Sequence, residues 1–544
     1  WPMDAVAKNA STSQYGNIVA LDESPVAEGL LYAGTDDGLV QVTEDGGAAW
    51  RKVDKFPGVP DLTYVNDLVA SRHDRATVYA AFNNHKRGDF KPYVLKSADL
   101  GRTWTSIASD LPARGSVYAL AEDPVRPDLL FAGTEFGLFA TLDGGKHWTK
   151  LGSGLPTVAV RDLDIQKRDS DLVLATFGRG FYVLDDYSPL RGVTPEALAK
   201  DGHLFPVRDA WQFIEKMPLG GLGSREKGFQ GESYFSAPNP PVAAVFTYHL
   251  KDAPKPLADQ RKEEEAALVK AGKPVPYPTY ERLKAEREEE PAVLLFTVAG
   301  EDGRTVRVLR EPARKGLHRA AWDLKYPGLV PTNPAQASPA SSGPSGALVM
   351  PGTYTVSMAL SHGGQVRELA GPVKFEVKAL AAVSLPAKDR AELAAFQRRV
   401  GRLYNSVTAA SDVLREMNTL ARHYRAALKS VTAPHQDILD AIKALEKKTG
   451  DLQLKLGGDR TLARLDKDTY PGIASRIGTV VYETAGSTSA PTKAQRDGYA
   501  IAEEEFRPVY EEIKRLLAED VKAIEKRLDA VGAPYTPGRM PDWK

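Results

Sequence analysis

The chain is 544 residues long, 42% of them hydrophobic, and its 71 Lys and Arg balance its 71 Asp and Glu. That length and apolar content suit several cored domains and exclude a disordered chain, while the balanced charge offers no overall field to nucleic acid or an acidic membrane surface. Cysteine is absent, excluding disulfides, thiolate metal sites and a Cys nucleophile, and there is no run of about 20 apolar residues such as a bilayer span needs.

The chain opens Trp1-Pro2-Met3, with neither an initiator Met nor a signal-type segment, and is expected to be a processed product or a piece of something longer. Residues 16–187 read as four repeats. Each begins with a short innermost strand: Ile18–Leu21, Val65–Leu68, Val117–Leu120 and Val160–Leu163. A second strand follows a turn rich in Pro, Asp and Arg, and a third and fourth flank a conspicuous turn. Four strands in a unit of roughly 45 residues are one β-propeller blade. The second repeat is lengthened by Asn83–Lys91, which reads as a surface loop.

The conspicuous turn is [Ser/Thr]-x-Asp-x-Gly-x-x-Trp. It occurs three times, as Thr43–Trp50, Ser97–Trp104 and Thr141–Trp148. Each residue type has a local use. Asp45, Asp99 and Asp143 can accept from the amides that follow them, Gly47, Gly101 and Gly145 can take positive φ, and Trp50, Trp104 and Trp148 can fold back as apolar plugs. The expected role is a folded cap on a strand-to-strand turn.

This motif resembles the Asp-box (BNR) repeat of β-propeller proteins. The chain is similar to the C-terminal half of bacterial sortilin-like or "BNR-repeat glycosyl hydrolase" proteins. The stretch Thr176-Phe177-Gly178-Arg179-Gly180-Phe181-Tyr182-Val183-Leu184-Asp185-Asp186-Tyr187-Ser188-Pro189-Leu190 resembles the segment that ends the propeller in that family. The resemblance implies a secreted or periplasmic protein. It also implies a larger propeller than four blades, since each blade needs a neighbour on both flanks. The remaining blades would come from a missing N-terminal portion of the same gene product or from a second chain.

Residues 191–231 lose the repeat and read as a linker wrapping the propeller. Short alternating strands over 232–380 then suggest an immunoglobulin-like β-sandwich. The run Gly316–Leu324, followed by Pro351-Gly352-Thr353-Tyr354, resembles the accessory sandwich of the same family. Two interruptions decorate it: a Lys- and Glu-rich insertion at 257–290, read as two short solvated helices, and a Pro-, Ser-, Ala- and Gly-rich flexible loop at 327–350. Residues 386–535 read as a helical hairpin or bundle. One apolar stripe runs from Leu393 to Leu428 and another from Val509 to Leu528, with Pro508 marking a first turn or a kink.

Metal and nucleophile motifs are missing: there is no His-Glu-x-x-His, no Gly-x-Ser-x-Gly and no phosphate-binding Gly loop, so no metal and no cofactor is expected. Ligands of a propeller lie at its central channel. Aligning the inner strands sets Val19, Asn66, Tyr118 and Arg161 at one position and Ala20, Asp67, Ala119 and Asp162 at the next. Asn66, Tyr118 and Arg161, with Arg179 nearby in the sequence pattern, are the candidate binding residues. Asp67 and Asp162 are the candidate acid pair for a glycosidase, which needs two carboxylates flanking the scissile bond. Polar residues facing a water-filled axis would show the same pattern. The expected function is binding or scaffolding of a protein or glycan outside the cytoplasm; the alternative is a glycoside hydrolase of sialidase or xyloglucanase type.

Overall fold

The computed structural model describes residues 16–214, 239–331, 338, 341–380 and 386–540. The chain divides into two compact units, Trp1–Ala199 and Lys200–Lys544; the opening Trp1-Pro2-Met3 lies outside the described residues.

The first unit is a series of antiparallel blades, each a meander in chain order. Strands β1 (Ile18–Glu23), β2 (Leu31–Thr35), β3 (Val40–Thr43) and β4 (Arg51–Val53) form the first, and β5 (Tyr64–Ala70), β6 (Val78–Asn83), β7 (Tyr93–Ser97) and β8 (Thr105–Ser106) the second. The third is β9 (Val117–Glu122), β10 (Leu130–Thr134), β11 (Gly137–Thr141) and β12 (Thr149–Leu151). The fourth has three strands, β13 (Val160–Gln166), β14 (Asp171–Thr176) and β15 (Phe181–Leu184), and lacks the Asp-containing turn. The inner strands β1, β5, β9 and β13 pack side by side in that order. Each seam between blades has its own apolar core. Tyr32, Val42 and Phe82 lie in the first, Tyr79, Leu120 and Trp148 in the second, and Phe131, Leu163 and Tyr187 in the third. These sheets make the unit a set of β-propeller blades.

The three Asp-containing turns share one geometry. The hydroxyl of Thr43, Ser97 or Thr141 donates to the Asp two residues on at 2.8 Å. The same oxygen accepts the amide of Gly47, Gly101 or Gly145 at 2.9, 2.8 and 2.9 Å. The carboxylates of Asp45, Asp99 and Asp143 accept the amides of Ala49, Thr103 and His147. The Thr103 amide and hydroxyl pull the Asp99 carboxyl down to about 2. Trp104 and Trp148 are buried, and each packs into the core shared with the preceding blade. Trp50 belongs to the first blade and is 46% exposed.

The linker expected over 191–231 is instead divided between the two units. A 3-10 turn, Ser188–Gly192, and the short helix α1 (Pro195–Ala199) close the first unit. They are held because the Arg126 guanidinium donates to the carbonyls of Leu190, Arg191 and Val193, while Arg191 pairs with buried Asp123 at 2.7 Å. Beyond them, β16 (Gly202–Leu204) and β17 (Ala210–Gln212) are strands of the second unit. The rest of that segment, 215–231, lies outside the described residues.

In the second unit β16 pairs with β18 (Ala244–Leu250), which pairs with β21 (Gly316–Trp322). The facing sheet runs β17, β25 (Gln365–Ala379), β24 (Gly352–His362), β19 (Val293–Gly300) and β20 (Thr305–Pro312). Phe246, Phe296, Trp322, Tyr354 and Phe375 fill the shared core, with Trp322 set edge-on to Tyr354 at 5.3 Å. Helices α2 (Leu257–Lys270) and α3 (Tyr280–Glu288) of the charged insertion bury nothing and are tied by Arg261 to Glu286 at 2.7 Å. Part of the expected flexible loop is ordered: β22 (Lys325–Pro327) pairs with β23 (Ser345–Leu348), because the buried Arg307 guanidinium binds the carbonyls of Tyr326, Gly343 and Pro344.

The helices follow in the same compact unit. The Leu393–Leu428 stripe is the inner face of one 39-residue helix, α4 (Arg390–Leu428). It packs with α5 (Gln436–Gly457) and α7 (Ile473–Ala485), with the short α6 (Arg460–Arg464) between those two in sequence. Pro508 does not start the last helix. A capping box of Thr492 and Gln495 starts α8 (Lys493–Arg515), which runs through Pro508 and then, by a π turn, into α9 (Val521–Ala530). Pro508 has no N–H to donate to the carbonyl of Glu504, an exposed residue.

Candidate functional site

The inner strands place the site. In each of the four, the pairing with the second strand skips one residue, and the residues skipped are Val19, Asn66, Tyr118 and Arg161. A β-bulge leaves its extra residue unpaired and re-aims the side chain. Three of the four carry polar groups, and these come together.

Tyr118 is 3% exposed, and its hydroxyl donates to the carboxylate of Glu135, in the turn between β10 and β11. Burial, then that hydrogen bond, pushes the phenol up to about 12, so the proton stays on oxygen. The Arg161 guanidinium lies over the Tyr118 ring at 3.8 Å and near the Phe177 ring at 5.2 Å. A guanidinium held over two rings by cation–π attraction is oriented without using its N–H donors. Among the described residues Arg161 has no carboxylate partner. On the other flank, Asn66 Nδ2 donates to the Tyr118 carbonyl at 2.5 Å, and Asn83 Oδ1 meets His85 Nδ1 at 2.6 Å. Asn83 Nδ2 reaches Asn66 Oδ1 at 3.4 Å.

Asn66, Tyr118 and Arg161 are therefore brought together. Arg179 is not joined to them: it is exposed on the turn that Thr176 closes by donating to the Gly180 carbonyl. Glu135, Phe177, Asn83 and His85 complete the cluster and escaped the sequence reading. Their common signal is position, since all lie in or beside the turn after a second strand, the same end of the blade as the bulges.

Asp67 and Asp162 stand differently. Asp67 Oδ2 accepts the Leu120 amide of the next blade at 2.7 Å. Burial pushes its carboxyl up to about 7 against the pull of that amide, and the Asp162 charge adds to the rise. Asp162 is exposed and accepts the amide of its own neighbour Leu163 at 2.8 Å.

No family model matches the chain. A curated xyloglucanase of Hypocrea jecorina (strain QM6a) is 26% identical over 145 residues, which is 24% of this chain and 17% of that enzyme. The chain thus spans about a sixth of the relative it matches. Among solved structures, YCF48 from Cyanidioschyzon merolae has a TM-score of 0.24 at 16% identity, over 31% of this chain and 53% of that one. An ancestral GH74 enzyme has a TM-score of 0.26 at 12% identity, over 36% of this chain and 26% of that one. What defines the class is the chain's own sheets: a β-propeller segment, joined in sequence to a unit of two packed β-sheets followed by helices. No helix among the described residues is long and apolar enough to cross a membrane.

Proposed function

We propose that this is an extracytoplasmic β-propeller protein that binds a carboxylate-bearing glycan at the inner-strand bulges. The observation that carries the reading is Arg161, held over Tyr118 at 3.8 Å with its donors unclaimed by any carboxylate among the described residues. Such a cation is preorganised for a bidentate anion, and Phe177, 70% exposed beside it, offers a face on which a sugar ring can stack. The sequence resemblance to Asp-box sortilin-like proteins, the recurring Ser/Thr-x-Asp turn geometry and the expectation of an immunoglobulin-like sandwich support the same assignment. In this reading the blades belong to a larger ring, completed by an N-terminal portion of the same polypeptide. Calorimetry with a uronic-acid oligosaccharide and its carboxyl-reduced counterpart tests it. The charged sugar should bind, and Arg161→Ala should weaken it about 10- to 100-fold, as loss of a charged hydrogen bond of about 1.5–3 kcal/mol implies. Equal binding of both sugars, or no effect of Arg161→Ala, would sink it.

A glycoside hydrolase is the second reading, favoured by the raised Asp67 carboxyl, which stays partly protonated near neutral pH beside the Asp162 carboxylate. Release of reducing ends from xyloglucan, abolished in both Asp67→Asn and Asp162→Asn, would establish it.

A further inference from the structure

The inner strands carry a second pattern, distinct from the bulges. Asp22 Oδ2 accepts the Ala70 amide of the second blade at 2.7 Å, and Asp67 Oδ2 accepts the Leu120 amide of the third at 2.7 Å. In the aligned strands Ala20, Asp67, Ala119 and Asp162 are equivalent, and so are Asp22, Val69, Ala121 and Asp164. Both bonds therefore obey one rule: an Asp in one blade takes the amide one position further along the inner strand of the next. Those amides have no strand partner on the axial side, so each carboxylate satisfies a donor that would otherwise go unpaired. The third blade has Ala119 and Ala121 at the two positions, and the cross-seam tie there is Arg161 on Tyr118.

The fourth blade carries both stapling residues, Asp162 and Asp164, and among the described residues neither hydrogen-bonds a neighbouring blade. Each is exposed and turns back to the amide of its own successor, Leu163 and Ile165, at 2.8 Å. The register puts Asp162, Ala175 and Phe181 in one row and Asp164, Val173 and Val183 in the next, on the face opposite the buried Leu163–Leu174–Tyr182 row. On that outer face Phe181 is 77% and Val183 52% exposed. The first blade mirrors this. Its Trp50, whose counterparts plug the preceding blade, is half-exposed, as is Leu21.

We infer that Asp162 and Asp164 are seam residues, built to take the two axial amides of a following propeller blade packed on Phe181 and Val183. The occupant is a blade of this same repeat, supplied by the polypeptide ahead of Ile18, so that the ring closes onto the fourth blade. This rests on the larger-ring reading above. It stands against the hydrolase reading at Asp162, which cannot both take a seam amide and face a substrate.

The test compares the 544-residue chain with the polypeptide extended by the coding sequence that precedes it, each with and without Asp162→Ala/Asp164→Ala. In the extended protein, amide exchange across 172–184 should slow about tenfold or more relative to the 544-residue chain. The double variant should lower the propeller Tm by about 2–4 °C or more there, and much less in the 544-residue chain. Slow exchange with no loss of Tm would overturn the staples while leaving the larger ring standing. Unchanged exchange in the extended protein would overturn the ring itself. Slow exchange in the 544-residue chain alone, with a dimeric mass by light scattering, would make a second copy the occupant and overturn the proposed source.

Discussion

The Asp67 carboxylate of the second blade accepts the Leu120 amide of the third at 2.7 Å, so one side chain both closes a seam and sits beside the candidate ligand site. Because burial raises its carboxyl to about 7 from an ordinary 3.8, the folded state holds a proton that the unfolded chain has released between those values. Stability contributed by that proton is present below pH 4 and falls as pH rises through 7, by at most about 4 kcal/mol by linkage. Asp67→Asn keeps an acceptor for Leu120 and carries no charge. Thermal melts from pH 4.5 to 8 should show a steeper fall in Tm for the native protein than for the variant; parallel slopes would show that Asp67 is ionised throughout.

Two chemically identical plugs should differ in worth. Trp104 is 6% exposed, donates its ring N–H to the Gly101 carbonyl at 3.1 Å and packs on Phe56 at 5.6 Å, whereas Trp50 is 46% exposed. Trp104→Ala should cost about 3–5 kcal/mol and Trp50→Ala about 1 kcal/mol or less in this chain. Chemical denaturation of the two variants measures the contrast. In a protein with a blade ahead of the first, the Trp50 cost should rise toward that of Trp104.

The tie between Asp123 and Arg191 decides whether residues beyond 187 belong to the propeller. Asp123 is fully buried and takes both Arg191 at 2.7 Å and the Tyr187 hydroxyl at 2.7 Å. Its carboxyl is lowered: burial works to raise it, and the Arg191 and Tyr187 hydrogen bonds outweigh that. Arg191→Ala leaves a buried charge unpaired and should cost about 3–5 kcal/mol. Limited proteolysis should then cut near 188–199 in the variant and not in the native protein.

Much of this was legible because local chemistry repeats. Alternating strands and the Ser/Thr-x-Asp turns mark the blades, since each turn is satisfied within a few residues of itself. The bulge row Asn66, Tyr118 and Arg161 was legible for the same reason, as inner strands align without reference to anything distant. The partners of that row were not. Glu135 and Phe177 lie in the turns after the second strands of the blades that carry Tyr118 and Arg161, and a lone Glu or Phe in a turn carries no sign of which ring or guanidinium it will meet. Asp67 and Asp162 looked like an acid pair because a carboxylate on an inner strand reads the same whether it awaits a substrate or the amide of Leu120. The strands Gly202–Leu204 and Ala210–Gln212 were hidden because three residues carry no period and their partners, such as Tyr248 and Val377, lie far along the chain.

Gly34 and Gly133 couple blade packing to the candidate site. They occupy the same place in their second strands, opposite Ala20 and Ala119, where the second and fourth blades have Ala81 and Ala175. A Cβ at Gly34 would lie 2.4 Å from Val65 Cγ1, and one at Gly133 would lie 2.9 Å from both Val160 Cγ1 and its carbonyl oxygen. Both contacts fall on the inner strand of the next blade, one residue before its bulge. Gly34→Ala should cost about 1–3 kcal/mol by overpacking, and Val65→Ala should recover part of that in a double-mutant cycle. Gly133→Ala strikes backbone as well as side chain, so Val160→Ala should recover less. Because Arg161 follows Val160, the same variant should also move the guanidinium off Tyr118. Tyr118 ring resonances read by NMR in Gly133→Ala would report that displacement, and unchanged shifts would show that the bulge isolates Arg161 from the seam.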